Sequence, residues 1–300
     1  MALSLGLSLW LCGTAWAQDR GIETVGRRTW WLHENVFPAT RPIDTLFYGI
    51  LYLTCAVGLG VFVVLIAFLI KYRHRPGRHA KFIHGNGRLE AVWTLIPTGI
   101  LVVTAAFSQA TWSSIKTQPP VEDGESVVRM EVVGKQFQWF FHYPGKDGKL
   151  GPRRPELIDP RSSDFDRMIG LDRTHPDARD DIVSPTMYIP VNRRVYITLS
   201  SVDVLHSFFL PNFRVKLDAV PGLHGRLWID AAKSSAEVEG REPDGSPRPF
   251  DIVCAELCGQ GHFKMRGQLY AVSDEEFEKF IEEETSYLDL GAEGEDSEGY

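Results

Sequence analysis

The sequence predicts a two-helix transmembrane hairpin followed by an all-β domain of Greek-key type. Two long apolar runs, Leu46 to Ile70 and Ala91 to Trp112, flank a basic segment. From Lys116 onward the chain turns polar and breaks into short β-branched and aromatic runs separated by Gly and Pro. Between Cys254 and Met265, two thiols, an imidazole and a thioether crowd into one short loop, which makes that loop the chemical focus of the β domain.

The 300 residues are 44% hydrophobic and 24% charged with a net charge of −7, enough for one or two domains with a substantial core. No nucleic-acid partner is expected. Met1 to Ala17 is apolar and ends Ala15-Trp16-Ala17 before Gln18-Asp19, the pattern of a secretory signal peptide, although no Lys or Arg precedes its apolar stretch. Residues 18–45 then form an external N-terminal segment.

Leu46 to Ile70 runs 25 residues without a charge, long enough at about 1.5 Å per residue to cross a bilayer with some tilt. The second span, 91–112, carries Pro97 one turn in, which neighbouring groups tolerate by satisfying the freed backbone. Lys71, Arg73, Arg75, Arg78, Lys81 and Arg88 lie between the spans with no acid among them. By the positive-inside rule that loop is cytoplasmic, so both termini and the β domain lie outside. Glu90 opens the second helix, where a carboxylate is favourable in itself.

Strands are predicted over Val127–Tyr143, Arg194–Ser201, Gly225–Asp230, Phe250–Val253 and Gln268–Val272, giving a β domain over 116–273. Residues 144–185 form a polar insertion too long for an ordinary loop, which predicts a partner-binding elaboration or a mobile lid. Arg214 to Gly222 reads as a charged loop. After Ser273 come twelve acids and one base, which predict a solvated helix over Asp274–Glu284 and a disordered tail to residue 300.

Cys254, Cys258, His262 and Met265 are soft ligands whose combination suits copper, because hard cations prefer oxygen and zinc rarely uses Met. Gly259 and Gly261 favour a loop over a helix here. A disulfide or a zinc site is the competing reading of two cysteines four apart; the His and Met that follow favour copper. Two thiolates exceed what a mononuclear blue-copper centre uses, so a second His is required. His206, at the end of a β-like run, supplies it. Cys12 and Cys55 lie in apolar stretches, no disulfide framework forms, and no C-x-x-C-H exists to bind haem covalently.

His206 within D-V-L-H-S-F-F-L-P, followed by C-A-E-L-C-G-Q-G-H-F-K-M, resembles subunit II of the haem–copper cytochrome c oxidases, and the likeness extends from the membrane anchor to Met265. The resemblance implies a cupredoxin-like fold and a dinuclear copper centre, CuA. In it Cys254 and Cys258 bridge two coppers, His206 and His262 each bind one, Met265 is a weak ligand and Glu256 binds through its backbone carbonyl. The Glu256 carboxylate is implied as a Mg²⁺ ligand shared with the catalytic subunit. Glu90, in E-A-V-W-T-L-I-P, is implied as a proton-uptake entrance. Relatives carry a Trp where Phe137 stands; Trp139, two residues on and expected on the same strand face, is the substitute candidate for receiving electrons.

What the resemblance implies is electron transfer. Electrons pass from a c-type cytochrome or similar donor to haem in the catalytic subunit I, among other oxidase subunits, where O₂ becomes water. The location implied is a bacterial-type inner membrane with the copper domain on its periplasmic side. A quinol-oxidase subunit would share the anchor but lack the thiols, and a copper-delivery protein would not need the two-part ligand set.

Overall fold

The computed structural model describes residues 31–79, 82, 84–117 and 126–295. The expected signal peptide over 1–17, together with Cys12, Lys81 and residues 296–300, lies outside the described residues.

Helix α1, Arg41–Lys71, begins with Pro42 in its first turn, where a missing N–H costs nothing. Helix α2, Gly87–Lys116, is capped by Asn86, whose side chain accepts from the N–H groups of Arg88 and Leu89. Both are longer than the predicted spans: α1 gains a turn ahead of Leu46 and only Lys71 beyond Ile70, and α2 gains about a turn at each end. Both expose apolar side chains all round, as helices facing lipid do.

The β domain comprises β1 (Val128–Lys135), β2 (Gln138–Tyr143), β3 (Ile182–Ser184), β4 (Met187–Pro190), β5 (Arg194–Ser201), β6 (His206–Leu210), β7 (Val215–Ala219), β8 (Gly225–Asp230), β9 (Phe250–Cys254) and β10 (Arg266–Val272). Short helices α3 (Phe165–Ile169) and α4 (Ser235–Val238) interrupt the strands, and α5 (Asp274–Glu295) follows them. One sheet runs β3-β2-β1-β5-β8 and the other β4-β10-β9-β6-β7. Pairing is antiparallel except for β1 with β5 and β10 with β4. The sheets close on a core that includes Met130, Val132, Phe141, Ile197, Phe208 and Leu269.

Four features differ from expectation. The single strand predicted over 127–143 is a hairpin that turns at Gln136 and Phe137. The charged loop from Arg214 contains β7, whose Val215 and Ala219 face inward while Lys216 and Asp218 face out; its alternation is masked by charge. The insertion is folded rather than loose. Ile169, Leu171 and Ala178 cover Val133 and Phe140 on the outer face of the first sheet, forming a second small core. Helix α5 reaches Glu295 and is not merely solvated, since Phe277 is buried and Phe280 stacks on Tyr188 at 4.4 Å. A capping box starts it, with Glu276 N–H donating to Ser273 Oγ and Ser273 N–H to the Glu276 carboxylate.

Residues just before α1 belong to the β domain. Val36 N–H donates to Asn212 O at 2.9 Å, Ala232 N–H donates to Val36 O, and Phe37 sets its ring edge-on to Trp228 at 4.8 Å. Arg214 pairs with Asp44 at 2.7 Å, and Trp228 Nε1–H donates to Ile115 O. Hairpin and sandwich are thus joined by partly buried contacts on both helices.

Candidate metal centre

The chain brings both parts of the ligand motif to one end of the second sheet. His206 opens β6 and Cys254 ends β9, and the two strands pair with Phe208 opposite Cys254. Ala255 N–H donates to Ser207 O, and Cys254 N–H to Met265 O, which clamps the start of the loop against its end. Between them the chain makes turns and one short 3₁₀ helix, His262–Lys264, rather than an α-helix. Gly259 has φ +132°, a conformation that disfavours any Cβ, and a Cβ at Gly261 would collide with the Phe137 ring.

Six donor groups converge. The sulfurs of Cys254 and Cys258 are 3.9 Å apart. Cys254 Sγ lies 3.9 Å from His206 Nδ1, and Cys258 Sγ lies 3.7 Å from His262 Nδ1. Cys254 Sγ is also 3.2 Å from the Glu256 carbonyl, and Cys258 Sγ is 3.8 Å from Met265 Sδ. Each thiol therefore has one imidazole and one weak donor of its own, in two equivalent halves. His206, Cys254 and Cys258 are buried, with one ligand atom from each inside a 4.8 Å cluster. Burial first, and then the Cys254 thiol beside it, push the Cys258 thiol up to about 11, so that thiol ionises readily only when a cation compensates.

Three residues brace this cluster: Asp203 in the β5–β6 loop, Gln136 in the β1–β2 turn and Gly134 on β1. Asp203 Oδ1 accepts from His206 Nε2–H at 2.9 Å, which turns Nδ1 toward the sulfurs. Burial raises the Asp203 carboxyl, but bonds from His206, the Gln136 N–H and the Val204 N–H outweigh it and hold the carboxyl below its usual range. Gln136 Nε2–H donates to Cys258 O at 2.6 Å and its own N–H donates to Asp203 Oδ2, tying the β1–β2 turn to the ligand loop and to the β5–β6 loop beside His206. At Gly134 a Cβ would stand 3.0 Å from both the His206 and Trp139 rings, so the backbone approaches the imidazole closely. Neither Asp203 nor Gln136 is marked by the sequence pattern; the one local signal is Asp203 three residues before His206.

The two aromatic candidates separate. Phe137 is 37% exposed and its ring lies on Gly261 of the ligand loop. Trp139 is 1% exposed, edge-on to His206 at 5.9 Å and to Phe208 at 5.2 Å. The expectation that it shares a surface with Phe137 is corrected, because the turn at 136–137 breaks strand alternation. Glu256 is exposed on the loop, and Glu90 lies far from this cluster in sequence, in the first turn of α2. His175 and Asp177 face each other on the surface, whereas Asp181 is buried against His142, so the insertion's acids form no shared cation site.

A two-sheet domain on a pair of membrane helices, carrying a thiolate, imidazole and thioether cluster, defines a membrane-tethered metal protein built for electron transfer. Residues 30–110 match the family model for the cytochrome c oxidase subunit II transmembrane domain, and residues 128–272 match that for its periplasmic domain. The chain belongs to the cytochrome c oxidase subunit II family. It is similar to the alternative cytochrome c oxidase subunit 2 of Bradyrhizobium diazoefficiens, 31% identical over 237 residues that cover 77% of each chain. It is also similar to cytochrome c oxidase subunit 2 of Cereibacter sphaeroides, 28% identical with 89% of this chain and 85% of the relative covered. The crystal structure of the periplasmic domain of cytochrome oxidase subunit II from Bradyrhizobium japonicum is 27% identical and aligns with a TM-score of 0.38, covering 57% of this chain and 99% of that one.

Membership makes the chain an electron-transfer subunit of a terminal oxidase, part of an oxidoreductase complex, with a copper-binding domain on the outer side of a membrane. The donor set fits that metal: two sulfurs, two imidazole nitrogens, a thioether and a carbonyl, with no hard carboxylate among them.

Proposed function

We propose that the loop holds a dinuclear copper centre, CuA, that accepts electrons from a c-type cytochrome or similar donor and passes them to haem in the catalytic subunit I. The carrying observation is the paired geometry, in which two sulfurs 3.9 Å apart each face their own Nδ1. Cys254 and Cys258 would bridge the metals, His206 and His262 would bind one each, and Met265 and the Glu256 carbonyl would complete the halves. When bound, the pair shares one electron across both metals, so bond lengths change little on transfer. The protein's part is to keep the donors fixed: Asp203 orients His206, Gln136 holds the loop carbonyl, and Trp139 walls the imidazole.

Phe137 is the point at which electrons arrive, since it alone of the two aromatics reaches solvent over the loop. Trp139 positions His206 and does not meet the donor. The exposed Glu256 carboxylate would take part in a Mg²⁺ site completed by the catalytic subunit, and Glu90 would stand at the proton-uptake entrance on the cytoplasmic side. Both termini would then lie on the periplasmic side of a bacterial-type inner membrane.

The test is to load the full-length chain in detergent with copper and count metal. Two coppers per chain, with one unpaired electron coupled equally to both nuclei in the oxidised form, support the reading. A single copper or a zinc refutes it. Cys258→Ser should remove the shared-electron signature; retention of two coppers and normal transfer would refute bridging.

A further inference from the structure

Outside the metal centre, two cavities adjoin on the hairpin. One, of about 590 Å³, lies between α1 and α2 and is lined by Arg41, Leu46, Gly49, Leu53, Val103 and Phe107 among others. The second, of about 360 Å³, lies where the hairpin meets β7 and β8, with Trp112, Ile115, Lys116 and Lys216 in its wall. Leu46 and Thr111 line both, so they form one continuous groove.

Its dimensions and polarity select an occupant. Along α1 the groove between the helices runs from Arg41 at its mouth to Leu53, twelve helical steps or roughly 18 Å, and its lining below Arg41 carries no charge, a depth close to half of a bilayer's ~30 Å hydrocarbon core. A single acyl chain fits. The outer end is cationic: Lys116 and Lys216 are exposed there and Arg41 stands at the mouth, while the nearby Asp44 carboxylate is occupied by Arg214 and Asn35. Trp112 is exposed at the same level, the depth at which Trp sits among headgroups.

We propose that this groove binds one anionic phospholipid of the outer leaflet, its acyl chain between α1 and α2 and its phosphate against Lys116 and Lys216. The lipid then fills the space between membrane anchor and sandwich, next to the Trp228 to Ile115 bond that joins them. This assignment is independent of what the metal loop binds.

Native mass spectrometry of the full-length chain, exchanged into palmitoyl-oleoyl phosphatidylglycerol or the matching phosphatidylcholine, tests it. One phosphatidylglycerol should stay bound per chain, and the combined K116E and K216E change should weaken its retention about tenfold or more relative to phosphatidylcholine. Gly49→Leu should abolish retention with copper content unchanged. No atom lies within 4 Å of a Cβ built there, so the added side chain fills the groove, and Leu is a better helix former than Gly. Equal retention of both lipids overturns the proposal, as does unchanged binding in Gly49→Leu. So would an intact oxidase that holds no lipid here while a partner helix cross-links to Gly49→Cys.

Discussion

Removing the Arg153 guanidinium should expose how firmly the insertion is fastened to the sandwich. Glu131 on β1 is buried, and Arg153 binds it twice, Nε to Oε2 at 2.7 Å and Nη2 to Oε1 at 2.5 Å. The same guanidinium donates to Ser200 Oγ and Ile169 O. Across the network, His142 lies 2.6 Å from Asp181 and 3.4 Å from Glu131. Burial by itself raises the Glu131 carboxyl, but the His142 bond and the Arg153 charge outweigh it and bring it from 4.5 to about 2.

That drop is worth about 3 kcal/mol of folding stability at roughly 1.4 kcal/mol per tenfold. The sign follows from the direction: a depressed carboxylate stabilises fully above its unfolded value of 4.5, and the contribution is lost as pH falls toward 2. His142 runs the other way. Burial lowers its pKa, the bonds to Asp181 and Glu131 raise it more, and its stabilisation is complete below 6.5 and lost as pH rises through the raised value. Arg153→Met should therefore cost roughly 3 to 5 kcal/mol at neutral pH by stranding a buried carboxylate. It should also flatten the acid limb. Denaturant unfolding of the full-length chain in detergent from pH 2 to pH 8, wild type minus variant, reads both effects. A difference curve that is zero at pH 7, or that does not shrink between pH 4.5 and pH 2, would refute the reasoning.

Asp203→Asn removes the charged acceptor that orients His206, and copper affinity should fall about 10- to 100-fold in a competition titration while the fold persists. Gly261→Ala drives a methyl into the Phe137 ring and must displace it; reduction by the c-type cytochrome proposed as donor should slow in stopped flow while copper content stays at the wild-type level. Phe37→Ala empties a fully buried ring site between the hairpin and the sandwich and should lower stability by about 3 to 5 kcal/mol in the same unfolding assay.

The membrane helices and the ligand loop were legible because each rests on a local pattern. An uncharged apolar run is read from composition, and Cys254 to Met265 carries four of the five side-chain donors within twelve residues. His206 was reachable because its motif is distinctive. Features that depend on distant contacts were not. Trp139 reads as strand-surface or core with equal ease until the turn at 136–137 is known, since one extra turn residue reverses which face a side chain takes. β7 hides behind Lys216 and Asp218, because a strand at the sheet edge needs only one apolar face. The insertion looked structureless for a related reason: its order comes from a buried ion network and five small-core residues, which leave no periodic trace.

These distant contacts matter for the chemistry. His206 and Cys254 sit at strand ends of the second sheet, but the other donors lie in the loop after β9, and a loop alone would let sulfurs and imidazoles drift. The β1–β2 turn of the first sheet crosses to them: Gln136 grips the Cys258 carbonyl and Asp203 together, Gly134 admits the His206 ring, and Phe137 closes over Gly261. The insertion in turn holds β1 from its outer face through Glu131, three residues before Gly134. A donor set fixed from both sheets needs little rearrangement when charge arrives, which is the requirement a one-electron relay places on its protein. The Arg153 experiment therefore carries a second readout: if the outer clamp helps keep the donors fixed, loosening it should broaden the copper spectrum before the domain unfolds.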